Sequence, residues 1–392
     1  MNLDRAVSFD DFRSLAKRRL PRVLFDYIDG GSYGEVTIRR NAADLDAVIL
    51  PQRVMRDMTD VCLETRLLGQ PLAMPVVLGP VGFAGMFARR GEVQAARAAR
   101  SAGIPFTLST VGICSAAEVV AGAGLAPWFQ LYMVKDRGLM AALLQRIAAL
   151  GSPVLMLTVD LPTPGARYRD LRSGMGRPRG IGGKLAQAVD GLAHPGWLRD
   201  VQLGGKPHSF GNLAAGLGGK AGFADAWSWI KENFDPSVTW AELDFVRKHW
   251  PGPVVVKGVL DPADARSALA AGADALVISN HGGRQLDGAL SSIRALPAIV
   301  DAVGDQIEVH MDSGIRSGQD VLKALAMGAK GTYIGRAFVH GLGAMGEAGV
   351  TKALEVIRKE LDTSMALCGE RNVSALGRHN LLVPKDFAGD WA

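Results

Sequence analysis

The chain has 392 residues, 48% of them apolar, and a formal net charge of +5. Length alone suggests two or three domains, although α/β barrels of this size form one. The mild, dispersed positive excess argues against nucleic acid and is compatible with an anionic ligand or a membrane surface. The three cysteines, Cys62, Cys114 and Cys368, are far apart and not in metal-ligand spacing, so reduced thiols and no metal site are expected.

The N-terminal stretch MNLDRAVSFDDFRSLAKRR carries charges where a signal peptide needs an apolar run. No uncharged apolar run reaches ~18 residues, the length needed to span a bilayer. An intracellular location follows as the expectation.

Residues 8–30 read as two short helices, with Ser8 capping the first, Pro21 ending it and Gly30-Gly31 stopping the second. From Met74 onward the rhythm changes. Apolar runs of strand length appear at 74–80, 105–110, 128–132, 154–160, 253–258, 275–280, 307–312 and 331–335, separated by Ala-rich helical segments. Their continuous apolar character is that of parallel strands buried on both faces. Eight such units predict a closed (β/α)8 TIM barrel, with residues 1–73 as an N-terminal helical cap and 74–392 as the barrel. A doubly wound open sheet is the alternative. It would place polar residues at two or three strand ends, whereas here nearly every strand finishes with them, as a barrel mouth requires.

The gap after the fourth run is about 95 residues long. Its middle, about 172–222, is rich in Gly and turn residues, with basic side chains and Trp197, Leu198 and Phe210 interspersed. A loop this long is usually functional or disordered. Its composition suits a segment lying on an anionic bilayer, or else a lid or subunit contact.

The strand ends carry the chemistry. Lys257 finishes VVVKG at a position too buried for a solvated ammonium, so an anion or developing negative charge should face it, the alternative being a lysine that snorkels out to solvent. His281 and Arg284 sit in SNHGGRQLDG, where Gly282 and Gly283 let a ligand approach the backbone. Asp160 in TVD can orient an imidazole, or simply cap the next turn. Arg167, with Arg284, can grip a carboxylate, though Arg169 and Arg172 beside it suit a solvated face equally well. Tyr132 lies at a strand end and Tyr27 in the cap; each is a site hydroxyl or an ordinary core tyrosine. MDSGIRSG and IGRAF follow the last two strands, where barrels often bind phosphate. Gly314 and Gly335 allow backbone N–H groups to converge on an anion while Arg316 and Arg336 supply charge. No GxGxxG opens a strand–helix pair, so a nicotinamide site is not expected.

SNHGGRQLD, LTVD, FQLY, VVVKG, DSGIRSG, IGRAF and the cap segment LPRVLFDYIDGG, in this order along nearly the whole chain, resemble the FMN-dependent L-2-hydroxy acid dehydrogenase/oxidase family. DLPTPGARYRDLRSGM, MFARRGEVQAA and NFDPS are most similar to its bacterial respiratory L-lactate dehydrogenase branch. The resemblance implies FMN as cofactor and L-lactate oxidation, with electrons passed to a quinone or another respiratory acceptor. Mandelate and glycolate are the alternative substrates. It makes His281 the base, Asp160 the support of its imidazolium, and Arg284, Arg167 and Tyr27 the carboxylate holders. Tyr132 would act on the hydroxyl side and Lys257 at the flavin N1/O2 edge. Pro80, Val81, Gly82, Ser109, Gln130, Thr158 and Ser279 match flavin contacts; Asp312, Ser313, Gly314, Arg316, Gly335 and Arg336 match the ribityl-phosphate site. Val81 departs from a threonine, Val111 replaces a tryptophan, and Gly82 matches a position often glycine in the dehydrogenases. The resemblance further implies a homotetramer, peripheral on the cytoplasmic side of the inner membrane or free in the cytoplasm. A non-catalytic phosphate-binding barrel is the reading from a different class.

Overall fold

The computed structural model describes residues 5–175, 180–214, 216–217 and 222–387. Three helices open the chain. α1 (Phe9–Arg19) starts at Ser8, whose hydroxyl accepts from the Asp11 N–H while the Asp11 carboxylate accepts from the Ser8 N–H; this reciprocal cap satisfies two backbone donors that the first turn leaves unpaired. α2 (Arg22–Asp29) begins after Pro21 and stops at Gly30. α3 (Val36–Ala47) is absent from the sequence reading, because polar RRNAADLDA lacks a clear apolar stripe.

A short hairpin follows, β1 (Thr65–Leu67) and β2 (Gln70–Leu72). Then come eight parallel strands: β3 (Val76–Leu78), β4 (Thr107–Ser109), β5 (Trp128–Leu131), β6 (Leu155–Thr158), β7 (Val254–Val259), β8 (Ala275–Ile278), β9 (Glu308–Met311) and β10 (Gly331–Ile334). They hydrogen-bond in the order β3-β10-β9-β8-β7-β6-β5-β4. A parallel bridge between Leu78 and Phe106 closes the ring. The expected barrel is therefore present, and every strand falls within its apolar run except for Val259, one residue beyond.

Alternate strand residues divide between two cores. Val77, Trp128, Met156, Val255, Val277 and Tyr333 fill the barrel, and Leu67 and Leu72 of the hairpin plug its floor. Their neighbours Val76, Phe129, Leu155, Val254, Leu276 and Ile334 face the helical layer. The plug fits closely: a Cβ on Gly331 would lie 2.4 Å from Leu67 Cδ1. One irregularity matters for the mouth. The β7–β8 register shifts between Lys257 and Val259, leaving Gly258 as a bulge at φ +112°. Bulges bend a strand and re-aim its side chains.

The long insertion is not one loop. Where the sequence suggested irregular chain, a helix spans Ile181–Leu192; its three glycines masked the pattern, and residues 176–179 of the same stretch lie outside the described residues. Trp197, Val201, Phe210 and Leu213 are buried against the barrel. Two further helices, Phe223–Asn233 and Glu242–His249, return the chain to β7. Among the described residues no helix is long and apolar enough to cross a membrane.

Candidate active site

The C-terminal strand ends and the cap enclose one cleft, lined among others by Tyr27, Val81, Gly82, Tyr132, Thr158, Arg167, Lys257, His281, Arg284, Asp312, Gly314, Arg316, Gly335 and Arg336. Its ionisable lining holds six Lys or Arg side chains, Lys231 among them, against the single carboxylate of Asp312. That imbalance suits a ligand set carrying more than one negative charge.

His281 stands just beyond β8 in a left-handed conformation, φ +58°, followed by Gly282 at +66° and Gly283 at +72°. A left-handed histidine is strained, and its neighbours hold it there. Its N–H donates to Ser279 Oγ at 3.0 Å, and its Nδ1 lies 2.9 Å from Asp160 Oδ1. Nε2 is thereby turned into the cleft, 3.4 Å from the Tyr132 hydroxyl. Burial pushes the His281 pKa below the histidine value, the Asp160 charge only partly opposing it. Burial alone would raise the Asp160 carboxyl, but His281 and Lys257 outweigh it and hold it low. The pair is thus a neutral imidazole beside a carboxylate, and Nε2 can accept a proton from a bound molecule. Asp160 reaches this position because Gly258 has no side chain; a Cβ there would sit 2.6 Å from Asp160 Cβ.

Lys257 projects from the bulged β7 toward Ser279 Oγ at 2.9 Å and Asp312 Oδ2 at 3.1 Å. Burial disfavours its charge, yet Asp312 and Asp160 more than compensate and raise its pKa, so it stays an ammonium. The anion expected to face it is, within the protein, Asp312.

Two arginines form one wall of the cleft. Arg284 lies 4.6 Å over the Tyr27 ring and donates one Nη to the carbonyls of Tyr27 and, at 2.9 Å, Gly30. Arg167 donates Nε to the Arg284 carbonyl at 3.4 Å and lies 5.8 Å over the same ring. Burial, then the Arg284 charge, lowers the Arg167 pKa. Two like charges packed together, with Asp170 at 3.8 Å from Arg167 the one acidic partner of either among the described residues, could hold an incoming carboxylate. The run that could have been a solvated face divides cleanly: Arg169 turns away from the cleft to Asp29 and Glu35.

Several expected contacts sit one step back. Ser109 donates to Gln130 Oε1 at 2.9 Å, and Gln130 Nε2 donates to Thr158 Oγ1 at 3.0 Å. Of the three only Thr158 lines the cleft. Ser313 Oγ is occupied by Asp312 Oδ1 and the Gly282 N–H. The Arg336 guanidinium donates to the carbonyls of Ile28, Gly282 and Gly30 at 3.0, 2.8 and 2.7 Å. Burial brings its pKa down to about 9. It fastens the cap, and what it can offer an anion is its place at the N-terminus of helix Arg336–Cys368, where backbone N–H groups point outward.

The residues fit FMN. A cationic end at Arg316 and this helix N-terminus suits a phosphate, Asp312 suits ribityl hydroxyls, and Lys257 with Thr158 suits the polar edge of a flat ring. The cradle is open where it must be: a Cβ on Gly335 would meet only Val81, at 3.9 Å.

The sequence reading missed the outer wall. Phe83, Trp227, Ile230, Lys231 and Phe234 also line the cleft, and Trp227 and Phe83 meet edge to face at 5.3 Å. Trp227, Ile230, Lys231 and Phe234 recur at helical spacing just past the supposed end of the insertion. That periodicity was the available signal.

Residues 16–383 match the family described as FMN-dependent dehydrogenase. The chain is 52% identical to a protein named L-lactate dehydrogenase from Azorhizobium caulinodans, covering 95% of this chain and 97% of that one. A protein of the same name from Pectobacterium atrosepticum is 53% identical, with 95% and 96% covered. Among solved structures, an (S)-mandelate dehydrogenase described as a monotopic membrane protein matches with a TM-score of 0.90 at 32% identity, covering 97% and 100%. A mandelate oxidase bound to (S)-4-hydroxymandelic acid matches at 0.82 and 37%, covering 96% and 98%.

Proposed function

Since the chain belongs to the FMN-dependent dehydrogenase family, we propose that it oxidises L-lactate to pyruvate and passes the electrons to a quinone or another respiratory acceptor. The observation that carries this reading is the convergence of the His281–Asp160 pair, Arg167, Arg284 and Lys257 on one cleft. The substrate carboxylate is held by Arg284 and Arg167, with the Tyr27 hydroxyl beside them. His281 Nε2 accepts one substrate proton, and Asp160 stabilises the imidazolium that results. Tyr132, whose pKa burial raises, keeps its proton and donates a hydrogen bond to the substrate hydroxyl oxygen. FMN, when bound, supplies the acceptor for the two electrons lost from the Cα–H and O–H bonds. The Lys257 ammonium offers positive charge where negative charge develops. Pyruvate, two electrons and two protons balance the oxidation.

A second substrate reading has its own support: Phe83, Trp227 and Phe234 give the mouth an aromatic wall suited to a phenyl side chain. One experiment decides. The purified protein, yellow with flavin, is mixed anaerobically with L-lactate, mandelate and glycolate; fastest bleaching by L-lactate is expected. Faster bleaching by mandelate would transfer the assignment. No bleaching by any of them would leave a non-catalytic barrel. Substantial peroxide during aerobic turnover would make it an oxidase.

The helix Ile181–Leu192 supports a membrane-surface location. It has no buried residue, and Ile181, Leu185, Val189 and Leu192 are 89, 64, 59 and 67% exposed on one stripe. An unpartnered apolar stripe with nearby basic residues is how a helix lies in a bilayer interface. Replacing Leu185 and Val189 by Asp should release the protein from membranes while turnover with a soluble dye persists; unchanged partition would refute the anchoring. These point changes are preferable to deleting 172–222, whose Trp197, Phe210 and Leu213 belong to the core. A tetramer, carried over from the family resemblance, is checked by light scattering.

A further inference from the structure

A second cavity, of about 580 Å³, lies outside the active site. Five elements meet around it: the end of α1 with Arg18 and Arg19, the loop after β3 with Ala88 and Arg89, helix Gly91–Ser101 with Gln94, the insertion from Ala193 to Asp200, and the break in helix Arg336–Cys368 at Met345-Gly346. The break is real in the backbone, with Gly346 at φ +62°. Arg19 is structural: it donates to the carbonyls of Phe87 and Gly343 at 2.9 and 3.1 Å and meets Asp200 at 3.5 Å. Arg18 and Arg89 differ. Both are exposed, and among the described residues neither has an acidic partner. The proposed chemistry of the barrel mouth uses neither.

Position makes this cavity informative. Ala193 and His194, which line it, directly follow Leu192, the last residue of the exposed apolar helix. Trp197 Nε1 donates to the Met86 carbonyl at 2.8 Å, pinning this corner to the barrel. Asp190 Oδ2 accepts the Arg22 N–H at 2.8 Å, which fixes the helix end beside the cap. Two unpartnered guanidinium groups thus sit at the foot of a helix whose side chains favour acyl chains. Resting on the membrane-surface reading above, we propose that this cavity is a headgroup site for an anionic phospholipid. Arg18 and Arg89 hold its phosphate oxygens while Ile181, Leu185, Val189 and Leu192 lie among its acyl chains. Guanidinium groups suit phosphate through paired N–H donors, and the cavity is roomy enough for a glycerol phosphate.

The test is vesicle cosedimentation of the full-length holoenzyme. One set of vesicles is phosphatidylcholine alone; the other is equal parts phosphatidylglycerol and phosphatidylcholine. The wild type should prefer the anionic vesicles. The double variant Arg18→Gln/Arg89→Gln should lose that preference by at least roughly tenfold, keep its phosphatidylcholine binding and keep dye-linked turnover. An equal charge loss elsewhere, Lys330→Gln/Lys359→Gln, should cost much less. If the two double variants behave alike, the attraction is diffuse and the site is overturned. Inorganic phosphate that raises the wild-type melting temperature but not that of Arg18→Gln/Arg89→Gln, with no vesicle preference, would assign a free-phosphate site and overturn the lipid. Failure of the wild type to bind either vesicle sinks the membrane reading itself. Binding of both vesicles equally, abolished by Leu185→Asp/Val189→Asp, sinks only the headgroup site.

Discussion

His281 and Asp160 come from strand ends separated by 121 residues of chain, yet their side chains meet at 2.9 Å over the bulge at Gly258. Because burial depresses the His281 pKa below 6.5, the imidazole is a free base throughout the neutral range. Activity that needs the neutral form is complete above that depressed value and is lost as pH falls through it. The acid limb of kcat/KM should therefore have its midpoint below 6.5; a midpoint above 7 would contradict the assignment. Asp160→Asn removes the charge that stabilises the imidazolium, and kcat should fall by roughly 10²–10⁴-fold with little change in substrate affinity.

Gly258→Ala tests the same pair without touching either partner. The new Cβ meets Asp160 at 2.6 Å, and φ +112° is a conformation that L side chains rarely adopt. Flavin retention with at least about a hundredfold loss of kcat is expected, the sensitivity typical of a displaced catalytic group. Near-normal turnover would show that the bulge does not position Asp160.

Arg167 and Arg284 differ in what they already hold. Arg284 secures cap carbonyls, whereas Arg167 makes one long contact to a carbonyl and a 3.8 Å approach to Asp170. Arg167→Lys keeps the charge but loses the planar fork, so KM for the hydroxy acid should rise roughly tenfold or more at unchanged melting temperature. Arg284→Lys should raise KM and also lower the melting temperature. Identical effects on stability would remove the distinction.

Acid stability should depend on His340, which is fully buried 3.6 Å from Asp29 and has no hydrogen-bond partner among the described residues. Burial pushes its pKa down to about 3. The unfolded chain therefore takes up a proton near pH 6.5 that the folded chain refuses. Stability is full above 6.5 and declines as pH falls toward 3, by roughly 3–5 kcal/mol in all. Asp29 is held low by Arg13 and Arg169 against its own burial, and such a carboxylate gives its full stability above its unfolded value of 3.8 and loses it only below that, outside the window that tests His340. Between pH 6.5 and 4.5 the melting temperature of His340→Gln should thus fall less steeply than that of the wild type.

The eight strands were legible because parallel strands buried on both faces write uninterrupted apolar runs, and the polar residues ending all but the first run marked the mouth. His281, Lys257 and Arg284 stood out for the same reason: each is costly where it lies. Arg336 was legible as a residue of the mouth but not in its bonding, since nothing local distinguishes a guanidinium that meets a ligand from one that meets a carbonyl of α2 or the turn after it. Ser109 and Gln130 were placed on the right strands, but a sequence does not tell lining from backing. Helix Ile181–Leu192 was hidden by its glycines, and the wall at Trp227 by its place directly after the Gly-rich stretch.

Arg284 and Arg336 grip the main chain at Tyr27, Ile28 and Gly30, so the N-terminal segment is riveted to the barrel by the same groups that make its mouth cationic. Shortening the chain past residue 30 would not widen a doorway. It would strip two guanidinium groups of the carbonyls that hold them in place, and a truncated protein should be recovered without its yellow colour.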